Sequence, residues 1–344
     1  EDDIINFESG NSEFIDRSVF DPNFENADNT LQGKRIYLNQ NYFITNVKDS
    51  LNVKKWSFGN IISIENKYYQ FKQDSPNIFF GVSNDVSQVN DKTSFDTFLV
   101  NFNASFNSFK TGTTSVYVNY RDITYSYQNL ADISDLFNYE SIIEENISVG
   151  LNYFFKKDKY RFDFQYESLL GQDTQGELLK ASFLFNINDD SNIVLAFSDV
   201  DSSPNYNYKI SQSAYSNYNW SNDLQNISTA KYLLRFDSNS LFNLNFEYNK
   251  TSNYTFFIKD VDGVLAPRQN LNELNMFKMR LSKKFTMNNF VLDNTLQYQR
   301  VDEQSLGTVN IPEFILRNSF FYQNELFNKA LFLQTGFTFN YFSE

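Results

Sequence analysis

Six basic residues, Arg121, Arg161, Lys231, Arg235, Lys278 and Arg280, stand in stretches where alternate residues are apolar. Five acids, Asp163, Glu167, Asp237, Glu247 and Asp293, stand in the same setting. Charges of both signs on one side of an extended segment suit the electrostatic sorting of small solutes along a wet wall. They equally suit a pairing ladder that braces the interior, because opposite charges across neighbouring strands stabilise a sheet by themselves. The residue types leave both readings open. Covalent catalysis is not indicated. The chain contains no His and no Cys, which removes Ser-His and Cys-His nucleophilic pairs, histidine and thiolate metal ligation, and disulfides. Asp163 and Glu167 lie four residues apart on one face, about 13 Å along a strand, too far for the acid and base of a glycosidase. The Gly33-Lys34 pair lacks the preceding glycine of a phosphate-cradling loop. The acids of residues 198–204 and 259–264 lack the ligand spacing of a calcium loop and are expected to be solvated. No catalytic residue, metal or cofactor is expected, and the chain is not read as an enzyme.

The elements that must carry those charges show in "YRFDFQYE", residues 160–167. Tyr160, Phe162, Phe164 and Tyr166 form one row, and Arg161, Asp163, Gln165 and Glu167 the other. A side-chain period of two is the mark of a strand. The pattern recurs: Phe242, Leu244, Phe246 and Tyr248 alternate with Asn243, Asn245, Glu247 and Asn249, and Phe98, Val100, Phe102, Ala104 and Phe106 alternate with polar residues and Leu99. By alternation and turn composition, about fourteen strands are expected, over 33–46, 54–71, 96–109, 113–127, 145–157, 159–170, 178–188, 192–200, 227–237, 241–250, 273–284, 289–300, 313–323 and 330–342. Residues 75–85 and 254–260 are further short-strand candidates inside longer connections.

The 344 residues are 18% aromatic, yet the mean hydropathy is −0.49. Apolar material is therefore finely interleaved with polar material. No apolar run approaches the roughly 18–20 residues of a membrane-spanning helix. Several strands nevertheless exceed the roughly 9–11 residues that cross a bilayer at a tilt. Their apolar rows end in aromatics (Trp56, Tyr153, Phe155, Tyr160, Tyr298, Tyr341), as interfacial girdles do. The expected fold class is all-β, an antiparallel transmembrane β-barrel. Tyr160, Phe162, Phe164, Tyr166, Phe242, Leu244, Phe246 and Tyr248 are expected to face lipid. Arg121, Arg161, Asp163, Glu167, Lys231, Arg235, Glu247, Lys278, Arg280 and Asp293 are expected to line the lumen as selectivity candidates. Slipping one strand by one residue would turn Arg161 into hydrocarbon at a cost of roughly 2–4 kcal/mol and reverse every neighbour.

Short connections ("KTGT", "KKDK", "NDDSN", "DSNS", "TMNN", "ELFNKA") alternate with long ones near 72–95, 128–144, 171–177, 201–226, 251–272 and 301–312. With short turns periplasmic and long loops outside, residues 1–32 form an extracellular-side connection and residues 33–344 the barrel domain. The barrel is expected to be incomplete at both ends, with strands before residue 1 and after residue 344.

Two stretches, "GKRIYLNQNYF" (33–43) and above all "IPEFILRNSFFYQNELFNKALFLQTGFTFNYF" (311–342), resemble the putative porin family of Bacteroidota outer membranes. The resemblance extends loosely over most of the chain. It implies an outer-membrane barrel and carries over no catalytic residue. Two functions follow as expectations: a porin-like passive diffusion channel for small hydrophilic solutes, or a structural barrel subunit of a multi-protein outer-membrane complex. A TonB-type active transporter is not expected, since no separate globular plug is visible ahead of the strands. Expected partners are outer-membrane lipid or lipopolysaccharide and, in the second reading, other outer-membrane proteins or lipoproteins. A net charge of −13 gives no reason to expect nucleic acid, whose phosphates attract the opposite charge, and none is expected as a partner.

Overall fold

The computed structural model describes residues 26–46, 54–85, 87–128, 141–170, 176–259, 264–302 and 309–343. In chain order the strands are β1 (Ala27–Asn46), β2 (Lys54–Gln73), β3 (Val89–Ser108), β4 (Gly112–Tyr127), β5 (Ile142–Lys157), β6 (Tyr160–Leu169), β7 (Glu177–Asn186), β8 (Ser191–Ser202), β9 (Ile210–Ser211), β10 (Trp220–Ser221), β11 (Ile227–Ser238), β12 (Asn243–Ser252), β13 (Thr255–Lys259), β14 (Leu265–Gln269), β15 (Leu274–Met287), β16 (Phe290–Val301), β17 (Phe314–Leu326) and β18 (Leu331–Phe342). Fourteen of them form one antiparallel sheet in the order β1-β2-β3-β4-β5-β6-β7-β8-β11-β12-β15-β16-β17-β18. All fourteen overlap the spans expected from alternation. The two remaining pairs, β9 with β10 and β13 with β14, belong to long connections.

The differences lie at the long-connection end. Residues 27–32, expected as connection, extend β1, with Ala27 opposite Gln73 and Gln32 opposite Tyr68. Residues 89–95, also expected as connection, extend β3. Both extensions are polar and lack a clear apolar row. Where no lipid is met, alternation is not required, yet the backbone ladder continues, and side chains such as Tyr69 Oη, which donates to Asn29 Oδ1 at 2.6 Å, reinforce it. Within 75–85 there is no strand but a 3₁₀ turn, Ile78–Phe80, capped by the Asn77 side chain, and one isolated bridge from Ser83 to Tyr215. The 254–260 candidate is β13 of a short hairpin.

Directly opposed partners share a face, so the ladders carry the alternation around the sheet. Arg161 faces Leu184 and Lys156, Leu184 faces Val194, and Val194 faces Arg235. Phe162 faces Phe155 and Phe183 on the other side. The outward row is aromatic near the short turns. Trp56 packs on Phe106 at 4.8 Å between centroids, Tyr160 on Phe185 at 5.1 Å, and Phe290 on Phe320 at 5.7 Å. Large apolar side chains remain exposed there, Phe102 at 61% among them. The polar face is the concave one. The connection leaving β8 and returning at β11 reaches side chains of β2 to β5 on that face, a chord that only a curved wall permits. At its two margins, β1 and β18 do not pair with each other among the described residues.

Gly150 shows how the polar face is packed. A Cβ there would meet the Tyr117 ring at 2.1 Å, so the missing side chain is the space in which that ring lies flat against β5. Its hydroxyl then donates to Glu167 Oε2 at 2.9 Å. Gly150→Val is expected to destabilise the folded barrel by roughly 1–3 kcal/mol, as overpacking does, read as a lower midpoint of heat-shifted gel migration. Gly33→Ala, where a Cβ meets only the Lys67 side chain, at 3.4 Å or more, is expected to leave that midpoint unchanged. Equal midpoints for the two variants would contradict the packing described.

Candidate functional site

The register places the ten lumen candidates on one face, and the residues of β6 and β12 that were expected to face lipid on the other. Phe242 lies in the turn just before β12. Within the polar face the charges divide into two groups. The first is tied to neighbours. Arg161 grips Asp163 through Nε and Nη2 at 2.8 and 2.9 Å, Lys231 Nζ lies 3.0 Å from Glu247 Oε2, and Arg235 Nε lies 2.9 Å from Asp237 Oδ2. Glu167 accepts from Tyr117, from Asn119 at 3.1 Å and from Ser148 at 2.6 Å. These carboxylates act as hubs of a wall network, the bracing role that opposed charges suggested.

The second group has no hydrogen bond or ion pair among the described residues: Arg121, Lys180, Lys278, Arg280 and Asp293. The strip of Lys231, Arg235, Lys278 and Arg280 is brought to one face but divided by β12. Glu247 sits opposite Lys278, and Asn245 lies between Arg235 and Arg280. Glu247 therefore partly neutralises the strip's centre. Lys180 escaped the sequence reading because Leu178 and Leu184 on the same face of β7 blur its alternation. Strand parity from Arg161, carried through the β6 ladder, was the signal that locates it.

The mouth of the concave face is occupied by the β8–β11 connection, residues 203–226. A single-turn helix α1 (Tyr206–Lys209), with its N-cap at Asn205, lays the Tyr206 ring on Tyr125 at 5.4 Å between centroids. Tyr206 Oη donates to Glu144 Oε2 at 2.7 Å, and Lys209 Nζ reaches Glu144 Oε1 at 3.2 Å. Burial first, and then the neighbouring Glu144 carboxylate, push the Tyr206 phenol above its ordinary range. It therefore remains a protonated donor at neutral pH. Farther on, Ser213 Oγ and the Ala214 amide both donate to Asp91 of β3. Tyr215, 2% exposed, closes the contact. Its hydroxyl donates to Gln73 and accepts from the Asn77 amide, while its ring packs on Phe80. Val89, Ala214 and Tyr215 form the buried cluster of this end, with Phe71, Phe80 and Tyr218 against it. The β13–β14 hairpin joins from the other side, where Phe257 packs on Tyr208 and Trp220. The connection is thus a strap anchored at both sides. The acids of 198–204 include Asp199 and Asp201 within β8, and Asp201 accepts from Asn226. Most of 259–264 lies outside the described residues.

Tyr215→Ala is expected to free the strap, removing roughly 3–5 kcal/mol of local packing. Tyr215→Phe removes only the hydroxyl, at about 1 kcal/mol. Limited proteolysis of the membrane-inserted protein checks this. Cleavage within 203–226 should rise steeply for the first variant and slightly for the second, and identical rates in all three proteins would contradict the anchoring.

The geometry is that of a barrel wall, apolar outside and polar within. Comparison with solved structures finds the same fold at very low identity. The FrpB iron transporter of Neisseria meningitidis is 9% identical with a TM-score of 0.53, over 87% of this chain and 57% of that one. A mutant of the ferric enterobactin receptor PfeA of Pseudomonas aeruginosa, in complex with enterobactin, is 8% identical with a TM-score of 0.50, over 90% and 58%. The siderophore receptor PirA of the same species is 10% identical with a TM-score of 0.48, over 93% and 64%. The chain therefore spans between 57% and 64% of the length of these structures. No curated protein matches it. No helix among the described residues is long and apolar enough to cross a membrane, and the crossing is made by strands. The family model described as "Putative porin" matches residues 3–344, and the chain belongs to that family of outer-membrane β-barrels.

Proposed function

We propose that this chain forms the wall of a porin-like passive diffusion channel for small hydrophilic solutes. The observation that carries the reading is the concave face itself, to which every strand of the main sheet between β4 and β17 contributes hydroxyls or amides, with charges of both signs interspersed. Charged rings of this kind set selectivity in barrels that conduct. The role is non-enzymatic, supported by the family and by the lack of histidine and cysteine in the sequence. The long connections face the cell exterior in this reading, and the 203–226 strap narrows that mouth, as it docks on its own barrel instead of projecting away.

A second reading has one observation in its favour. On the 74–88 connection Ile78 and Val82 are 94% and 72% exposed, outside the apolar belt. Apolar tips in water mark contact surfaces. They suit a structural barrel subunit that docks to a protein or lipoprotein of a larger outer-membrane assembly. Extraction in mild detergent separates the two readings: a stable co-purifying partner supports the assembly role, and a lone barrel supports the channel.

Reconstituted in planar bilayers, the folded protein is expected to conduct. Replacing Lys278 and Arg280 together by Glu should shift the reversal potential in a salt gradient toward cation preference. Conductance no greater than that of bare lipid would sink the channel reading. An unmoved reversal potential would remove these two residues from the selectivity set.

A further inference from the structure

One row of the polar face crosses six neighbouring strands: Asn152, Gln165, Lys180, Ser198, Lys231 and Asn249 are directly opposed in succession. The two lysines flank Ser198, with their Cα atoms about 9.5 Å apart by strand spacing. In the adjoining row Ser182 and Ala196 are opposed. Three small side chains in a block of four strands hollow the wall. The result is a recess of about 530 Å³ whose lining includes Lys180, Lys231, Gln165, Asn152, Ser182 and Ser198. That volume falls within the range of small-molecule sites.

The charges of the recess are unequal. Lys231 is neutralised by Glu247, and Asp163, which also lines the recess and accepts from Ser182 Oγ, by Arg161. Lys180 alone has neither a carboxylate nor any hydrogen-bond partner among the described residues. One surplus ammonium thus stands beside four aliphatic hydroxyls (Thr113, Ser115, Ser182 and Ser198) and two amides, each able to donate and accept. A dianion would leave charge uncompensated, and an apolar solute would strand the amides.

We infer that this recess is a subsite for a small polyhydroxylated monoanion, a sugar acid of the aldonate or uronate class. Lys180 takes the carboxylate, while Ser182, Ser198, Gln165 and Asn152 exchange hydrogen bonds with the hydroxyls. The inference rests on the reading of this face as a water-filled wall, but it does not require that the pore conduct.

Equilibrium dialysis of radiolabelled D-glucuronate against the full chain, folded in detergent and checked by heat-shifted migration, tests it. Saturable binding is expected, weakened at least about tenfold in Lys180→Gln, a loss of about 1.4 kcal/mol, and largely retained in Lys180→Arg. Neutral methyl glucoside should bind far more weakly and respond to neither substitution. If Lys180→Gln does not fold, Lys180→Arg and competition by salt against the wild type supply the comparison, since a charge-dependent subsite must weaken as salt rises. Absence of saturable glucuronate binding, or equal binding by wild type and Lys180→Gln, would overturn the subsite. Binding without conductance in bilayers would leave it standing and remove the diffusion reading alone.

Discussion

A peptide group in hydrocarbon has no water to bond to, and each one left unpaired costs several kcal/mol. Every strand of the main sheet answers that constraint by pairing along its length with its neighbours. The pairing fixes the period of two, and the period of two assigns every side chain to lipid or to the interior. The aromatic bands near the short turns, the charged network around Glu167 and Glu247, and the recess at Lys180 are all consequences of that one assignment. The constraint also bears on β1 and β18, which among the described residues do not pair with each other.

The barrel inverts the usual placement of a core. Apart from Val291 beside a short turn, its largest fully buried side chains lie at the mouth, where Tyr215, Gln73 and Val89, with Ala214, hold a strap across the concave face. The wall is stabilised by ladder bonds and by lipid around it. The strap, in water, needs a small apolar cluster and satisfied polar groups of its own. Asp91 and Glu144 supply acceptors to backbone and side-chain donors of the strap, and this explains acids at positions near strand ends where alternation alone has no use for them.

Much of this was legible in the residues. "YRFDFQYE" alternates so cleanly that its strand, its outward row and its inward charges follow directly, and all fourteen spans of the sheet were located by the same rule. The ends were not legible where strands leave lipid, because 27–32 and 89–95 need no apolar row to stay paired. The strap was legible as a long connection near 201–226, but its anchoring was not. Its contacts join residues such as Asp91 and Ala214, 123 positions apart in the chain, and no local period announces them. Lys180 was hidden for a third reason, since leucines on both faces of β7 make its polarity ambiguous. Nor could charge alone reveal that Glu247 divides the basic strip, which depends on the order of β11, β12 and β15 in the sheet.

Single cysteines placed in turn at positions 161 to 166 test the assignment most directly, because the sequence contains no other cysteine. Each is labelled with a fluorophore in the membrane-inserted protein and exposed to a lipid-dissolved quencher and to a water-soluble one. Labels at 162, 164 and 166 should respond to the lipid quencher and those at 161, 163 and 165 to the aqueous one. A response that does not alternate, or that alternates in the opposite sense, would contradict the account.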